Sequence, residues 1–442
     1  MSFNLNQVSA MSVQELVRDG SHHDLYYYDH SNMFTQSRPT LVNNKFIQAF
    51  TSPNSGVNQL IFSPDQGVSD IICGFALLPQ SSGADYTNYA LSRGWGYSFI
   101  KQIAVRYGGS SQYFFSGEQM LMQNVIDMQD AVSRDTLFEL GGQACIGINP
   151  LASGSNDFNI QQVGYCYINL PHNTPNGDGL KMNPLPSELL RQPVLVQIEL
   201  AQIQSVFSAN NFATNSVLPF APVSDAWFQV KQVRMINSED LLTSHHEPSK
   251  IAYTLPLKYF PQQEYILNVG NSGTKQVNLT GFRNGGVRTI VLWCTKQENT
   301  ALSGAVPRLY NDFLWYPPEE TTLSINGEIY YRSKYKSSLL LDLANNKQPN
   351  RLSTTEYGIA NGDIVPTTGG NTSEYVKVDF SQVNDAVFGV NMLVSGRSIT
   401  NSIVNFQFNT PAGENSANWI LHALYLYNSS LVFAGGNCEY VF

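Results

Sequence analysis

Alternation of apolar and polar positions dominates the chain. From Pro193 to Ile203, Val194, Val196, Ile198 and Leu200 share one side of an extended backbone, and Gln197 and Glu199 share the other. That period of two predicts a strand with one face in a core and one in solvent. The run Tyr375–Phe380 repeats it, with Val376, Val378 and Phe380 opposed to Lys377 and Asp379. Two runs differ in being apolar on both faces, RTIVLWC (Arg288–Cys294) and WILHALYLY (Trp419–Tyr427). A strand buried on both sides needs a second cover, so both are expected inside a sandwich or between a sheet and a neighbouring barrel.

Helical periodicity is scarce. SVQELV (Ser12–Val17) predicts one short amphipathic helix, with Ser12 and Glu15 as a capping box, Val13, Leu16 and Val17 as its stripe, and Gly20 as its stop. A second short turn is expected at Pro186–Arg191. Connections rich in Gly, Pro and Asn are expected as loops at Leu151–Gln161, Pro171–Pro184, Asn268–Asn278 and Asn345–Ser373. Strands joined by loops of such uneven length predict an all-β sandwich or barrel.

The pattern also repeats. TLSINGEIYYRSKY (Thr322–Tyr335) reads as a hairpin about Asn326-Gly327, and IAVRYGGSSQYFFSGE (Ile103–Glu118) as a hairpin about Gly108-Gly109. Aligning Tyr107 on Ile325 gives an offset of 218 residues. A second match, Ala226–Asp240 on Asn418–Val432, sets Trp227 on Trp419 at an offset of 192. Two matches in the same order predict a duplicated β domain rather than a solenoid, joined within Asn237–Lys250. The expected division is an arm at residues 1–30, a first β domain at 31–240 and a second at 241–442.

Composition narrows the function. The chain has 442 residues, enough for two or three domains. Hydrophobic residues make up 42%, but charged residues only 13%, about half the usual share of roughly 25%. Asn, Gln, Ser and Thr take the place of charge, as on surfaces committed to contacts with other subunits. The net charge of −9 and the lack of a Lys/Arg run argue against direct nucleic-acid binding. The five cysteines, Cys73, Cys145, Cys166, Cys294 and Cys438, form no CxxC. They are expected as buried thiols of a protein made in a reducing compartment. The first basic residue is Arg18 and no apolar run precedes it, so no secretory leader is expected. The most apolar window, Ile71–Pro79, is shorter than a membrane span.

Candidate chemistry is weak throughout. The seven histidines are His22, His23, His30, His172, His245, His246 and His422. The adjacent pairs would point to opposite faces of a strand, whereas chelation from a strand needs i,i+2 spacing. Both pairs fall in polar linker sequence, so solvent-exposed or interface histidine is their expected role. No Gly-x-Ser-x-Gly occurs, and Gly108–Ser111 lacks the Lys and the following helix of a phosphate loop. Glu118, Glu199, Asp312 and Glu328 could serve as glycosidase carboxylates, but nothing selects a pair. The sequons at Asn278, Asn371 and Asn428 carry little weight without a secretory route. No catalytic, cofactor-binding or metal-binding residue is assigned. The N-terminal helix carries Glu15, Arg18 and Asp19 on its polar face, not a basic cluster. Packing under a neighbouring subunit is expected there, and membrane contact is not indicated.

The ordered series of β signatures resembles the double jelly-roll major capsid proteins of icosahedral double-stranded DNA viruses. In the first half it consists of the Tyr107–Glu118 hairpin, YINLPHN (Tyr167–Asn173) and LPSELLRQPVLVQIEL (Leu185–Leu200). In the second half it runs through Val287–Cys294, Tyr310–Glu328, Val376–Met392 and Leu421–Gly436. The series spans roughly residues 45–442. Two departures stand out: the Arg that often follows the Asn-Gly turn closely sits later, at Arg332, and the aromatic-Asn element near the end is only Tyr427-Asn428. The resemblance implies two tandem eight-stranded antiparallel jelly-roll barrels and a structural protein rather than an enzyme. It further implies a homotrimer of pseudo-hexagonal outline in the virion, in contact with neighbouring capsomers and with minor capsid and penton proteins. The alternative from the residues is a tandem β-sandwich that binds carbohydrate or a receptor, like a viral spike; a β-rich hydrolase is the third.

Overall fold

The structure, a computed structural model, describes in the first half residues 41–51, 56–62, 67–79, 89–91, 93–108, 111–127, 131–143, 145–146, 161–170, 190–209, 218–220 and 225–235. In the second half it describes residues 253–259, 262–267, 274–282, 286–296, 319–332, 351–353, 357–360, 363–366, 372–374, 376–380, 397–409, 419–434 and 437–441. The helix expected at Ser12–Val17, most of the turn at Pro186–Arg191, and the join at Asn237–Lys250 lie outside the described residues.

The first half begins with strands β1 (Leu41–Ala49), β2 (Val57–Phe62), β3 (Gly67–Leu77) and β4 (Tyr89–Leu91), then one turn of helix, α1 (Trp95–Ser98). The hairpin β5 (Ile100–Tyr107) and β6 (Ser111–Phe115) follows, then helices α2 (Gly117–Asp127) and α3 (Ala131–Leu140). It closes with β7 (Cys145–Ile146), β8 (Gln162–Ile168), β9 (Val194–Leu200), β10 (Phe207–Ala209) and β11 (Asp225–Met235). Two antiparallel sheets, in the orders β1-β11-β3-β8 and β2-β9-β5-β6, share one core. Leu60, Phe62, Val194, Val196, Ile198, Ile103 and Val105 enter it from one sheet, and Ile71, Phe75, Cys166, Ile168, Phe228 and Val230 from the other. Each such side chain contributes about 1.5–3 kcal/mol on leaving water. The alternation expected over Val194–Leu200 is present, with all four apolar residues buried.

The second half builds the same pair of sheets. Its strands begin with β12 (Tyr253–Tyr259), β13 (Gln262–Leu267), β14 (Thr274–Leu279), β15 (Gly286–Lys296), β16 (Glu319–Ile325) and β17 (Glu328–Arg332). Four short strands come next: β18 (Arg351–Ser353), β19 (Tyr357–Ala360), β20 (Asp363–Pro366) and β21 (Thr372–Glu374). The last are β22 (Val376–Asp379), β23 (Arg397–Ser398), β24 (Val404–Asn409), β25 (Trp419–Ala434) and β26 (Asn437–Val441). One sheet runs β12-β25-β15-β22, with β13 and β26 also on β25 and β23 on β15; the other runs β14-β24-β16-β17.

The two halves therefore match over the four-strand path of each sheet. The hairpins β5–β6 and β16–β17 occupy the same end of equivalent sheets, and β11 and β25, with Trp227 and Trp419 near their starts, occupy the same inner position. The repeat read from sequence is a structural repeat: the fold is all-β, two tandem jelly rolls. The Asn326-Gly327 turn has φ of 52° and 85°, and Ile325 pairs with Glu328 across it, the two-residue form expected of a tight hairpin.

Three expectations need correction. Helices are few but not all as short as the pattern implied, because α2 and α3 span 11 and 10 residues. Ser116 starts α2, its Oγ accepting the Gln119 N–H at 3.1 Å. Met120, Leu121, Met122 and Val125 are buried, but so are Gln119, Gln123 and Asn124. A helix enclosed nearly all round shows no apolar stripe, so periodicity misses it. The segment Asn345–Ser373 is not only loop either: β18 pairs with β21 and β19 with β20. Paired strands of only three or four residues carry too little alternation to be read from sequence. Likewise β14 occupies much of the expected loop Asn268–Asn278.

Candidate functional site: the junction between the jelly rolls and their outer faces

The two runs that are apolar on both sides became β15 and the start of β25, paired antiparallel from Val287↔Tyr427 to Lys296↔Trp419. Their alternate residues go to different cores. Ile290, Leu292, Cys294, Leu421, Ala423, Tyr425 and Tyr427 fill the second jelly roll. Val291, Trp293, Leu424 and Leu426, with Cys438 of β26, join the core cluster of the first. The second cover is thus the neighbouring jelly roll, one of the two placements expected.

One polar thread crosses this apolar junction. The Trp293 indole N–H donates to Glu118 Oε1 at 2.9 Å, linking β15 to the first turn of α2. Register then sets His422 directly opposite both Trp293 on β15 and Glu264 on β13. The imidazole stacks on the indole, with centroids 5.1 Å apart and planes 12° apart. Its Nδ1 lies 3.3 Å from Glu264 Oε1 and 3.1 Å from Gln262 Nε2, and its Nε2 lies 2.8 Å from Thr295 Oγ1. Burial opposes a charge on His422, but Glu118 and Glu264 outweigh it and hold the imidazole above its ordinary value. The hydrogen bond with His422 overcomes the opposing effect of burial and holds the Glu264 carboxyl below its ordinary value.

The outer faces differ between the jelly rolls. On the β2-β9-β5-β6 sheet, Val57, Ile61 and Phe114 are exposed beside the Lys101–Glu199 ion pair of 2.6 Å. The equivalent β14-β24-β16-β17 sheet combines exposed Ile329 and the charged Glu320, Glu328 and Arg332 with polar pairs. Asn405 Nδ2 donates to Asn278 Oδ1 at 2.9 Å, and Thr274 Oγ1 to Asn409 Oδ1 at 2.9 Å.

The remaining candidate residues are scattered. His22, His23, His30, His172, His245, His246 and Asp312 lie outside the described residues. Glu118 bonds Trp293, Glu199 pairs with Lys101, and Glu328 accepts from the Tyr330 hydroxyl at 2.7 Å. These three carboxylates sit on separate elements with separate partners. Cys73, Cys166, Cys294 and Cys438 are buried thiols outside any disulfide, as expected, and burial pushes each upward. Gly108, with φ of 54°, turns between β5 and β6, where Tyr107 pairs with Ser111, so this segment is a hairpin turn. Among the described residues, no group of three His, Cys, Asp or Glu side chains is arranged to hold a metal. Among them too, no helix is long and apolar enough to cross a membrane. The junction thread was not anticipated. Its signal was His422, an ionisable residue inside the apolar run WILHALYLY.

No family model matches the chain. Nor does any curated protein. Solved structures do. The PBCV-1 virus capsid protein superposes with a TM-score of 0.60 at 11% identity, over 94% of this chain and 98% of that one. The Faustovirus major capsid protein gives 0.54 at 9% identity, over 98% of this chain and 100% of that one. The mavirus major capsid protein gives 0.51 at 10%, over 96% and 93%. This is the double jelly-roll fold of viral major capsid proteins. The likeness runs through both jelly rolls, so the tandem arrangement is shared as well as the single sandwich.

Proposed function

We propose that this chain is a major capsid protein whose work is assembly rather than turnover. The observation that carries the reading is the pair of same-order jelly rolls in one chain, shared over nearly its full length with capsid proteins of several viruses. Two similar blocks per chain allow three chains to present six, so a homotrimer takes a pseudo-hexagonal outline and tiles an icosahedral shell. Exposed apolar residues on both outer sheets, Val57, Ile61 and Phe114 on one and Ile329 on the other, suit contacts between subunits. Interfaces of such obligate assemblies cover thousands of Å². The jelly rolls divide at residues 31–240 and 241–442, after an arm of residues 1–30. Neighbouring capsomers, minor capsid proteins and a penton protein are its partners, and the virion is its place. No catalytic, cofactor or metal residue is assigned to it.

Native mass measurement with negative-stain imaging tests the proposal. A stable trimer with a six-lobed outline is expected. A persistent monomer that binds glycans would overturn it in favour of a receptor-binding protein. Deleting residues 1–20 is expected to leave the trimer's melting temperature unchanged and to weaken formation of larger assemblies; a deletion that unfolds the protein would place the arm in a core.

A further inference from the structure

Four side chains from four elements line up across the junction: Glu264 on β13, His422 on β25, Trp293 on β15 and Glu118 on α2. Three belong to the second jelly roll and one to the first. We propose that this row is a protonation-dependent clasp between the jelly rolls, closed when the His422 imidazole carries both protons and loosened when it loses one. The clasp lies within one chain and does not depend on the capsid reading.

The geometry supports two hydrogen-bond patterns on the same heavy atoms. With both nitrogens protonated, Nδ1–H donates to Glu264 Oε1 and Nε2–H to Thr295 Oγ1. The Gln262 amide then donates to Glu264 Oε1, 3.2 Å away. With Nδ1 bare, the Gln262 amide, 3.1 Å from it, donates to the ring instead. The protonated pattern keeps the ring on the anionic Glu264. It also stacks a cation on the Trp293 indole, whose N–H is held by the anionic Glu118; such stacking is attractive in its own right. Among the described residues, the titratable groups facing His422 are Glu264 from β13 and Glu118 from α2, with Gln262, Thr295 and Trp293 as uncharged neighbours. Loss of the proton removes the charge on which both carboxylates act, and one of these belongs to the other jelly roll.

The direction of the effect follows from the raised His422 value. A group that binds its proton more tightly in the fold contributes fully below its unfolded value, here 6.5, and that contribution fades as pH rises through the folded value. Glu264 acts from the other side: its contribution is present above its ordinary 4.5 and fades as pH falls through its lowered value. The clasp is tightest at mildly acidic pH and weakens towards alkaline pH.

The test is a tryptophan-fluorescence titration of the full chain from about pH 5 to 9, since a stacked imidazolium quenches indole emission. Hydrogen exchange of the β15 peptide, corrected for the intrinsic pH dependence, is measured alongside. The component lost in Trp293→Phe is expected to titrate with a midpoint above 6.5. Exchange of β15 is expected to be several-fold slower on the acidic side of that midpoint. Glu118→Gln keeps an oxygen for the indole N–H and removes only charge, and Glu264→Gln alters a largely exposed carboxyl. Each should lower the midpoint by roughly 0.5–1 pH unit and shrink the exchange difference. His422→Gln, if it folds, should abolish both. A midpoint at or below 6.5 that neither carboxyl variant moves would overturn the clasp, as would an exchange difference equal in wild type and Glu118→Gln. A merely structural row would change stability in these variants without shifting any pH profile.

Discussion

At the scale of single residues, two of the positive-φ glycines, Gly327 and Gly142, separate strain from space. Gly327 sits at φ 85°, and a Cβ there meets nothing within 4 Å. Gly327→Val therefore carries backbone strain alone, about 1–2 kcal/mol, and should lower the melting temperature modestly without altering the core. Gly142, at φ 125°, lies against the fully buried Trp95 indole, which a Cβ would overlap. Gly142→Ala adds overpacking to strain and should cost about 3 kcal/mol or more. Chemical denaturation of both variants checks the order, and a Gly327→Val protein as unstable as Gly142→Ala would sink the distinction. The Asn-Gly turn was legible as a dipeptide. The demand for Gly at 142 was not, because it arises from an indole brought from Trp95 by the local fold.

Among the elements, α2 shows how a sequence hides a helix. Ser116 caps it, and Tyr97 locks it to β8, the Tyr97 hydroxyl accepting from Asn124 Nδ2 at 3.1 Å and from the Tyr167 N–H at 3.2 Å. Ser116→Ala should cost about 1 kcal/mol. Tyr97→Phe deprives two donors of an acceptor in the interior and should cost about 1–3 kcal/mol. Melting curves of the two single variants test both, with Tyr97→Phe expected to be at least as damaging. The strands were far easier to read. In β9 and β22 the inward positions were named from alternation alone, and β15 and β25 were read as apolar on both faces. Period two survives burial on one face or on two, whereas the helical stripe disappears when all sides are enclosed.

At the scale of the whole molecule, the second jelly roll depends on the first for cover. Residues 241–442 expressed alone would expose Val291, Trp293, Leu424 and Leu426 to water. That fragment is expected to be insoluble or to aggregate, and co-expression with residues 1–240 to restore a soluble complex. A soluble, monomeric second half with native melting would show that the junction is not part of its core. The outer faces make the complementary point. Both jelly rolls have the same core strand order, yet one equivalent sheet exposes Val57, Ile61 and Phe114 and the other Ile329 and Glu328 beside Asn278, Asn405 and Asn409. Duplicated blocks with different surfaces allow different neighbours around one assembly.

The sequence by itself determined the all-β class, the duplication, the hairpin turns and the two strands that need cover on both sides. Each of these rests on local geometry: side chains alternate along a strand whatever it packs against, and tight turns select Asn and Gly wherever they occur. Only the tertiary structure decided what supplies that cover, and which ionisable groups meet. His422, Glu264, Trp293 and Glu118 are far apart in the chain, and strand register and the docking of α2 bring them into one row. Register is a property of paired strands, and docking of paired sheets, so neither is written in any single segment.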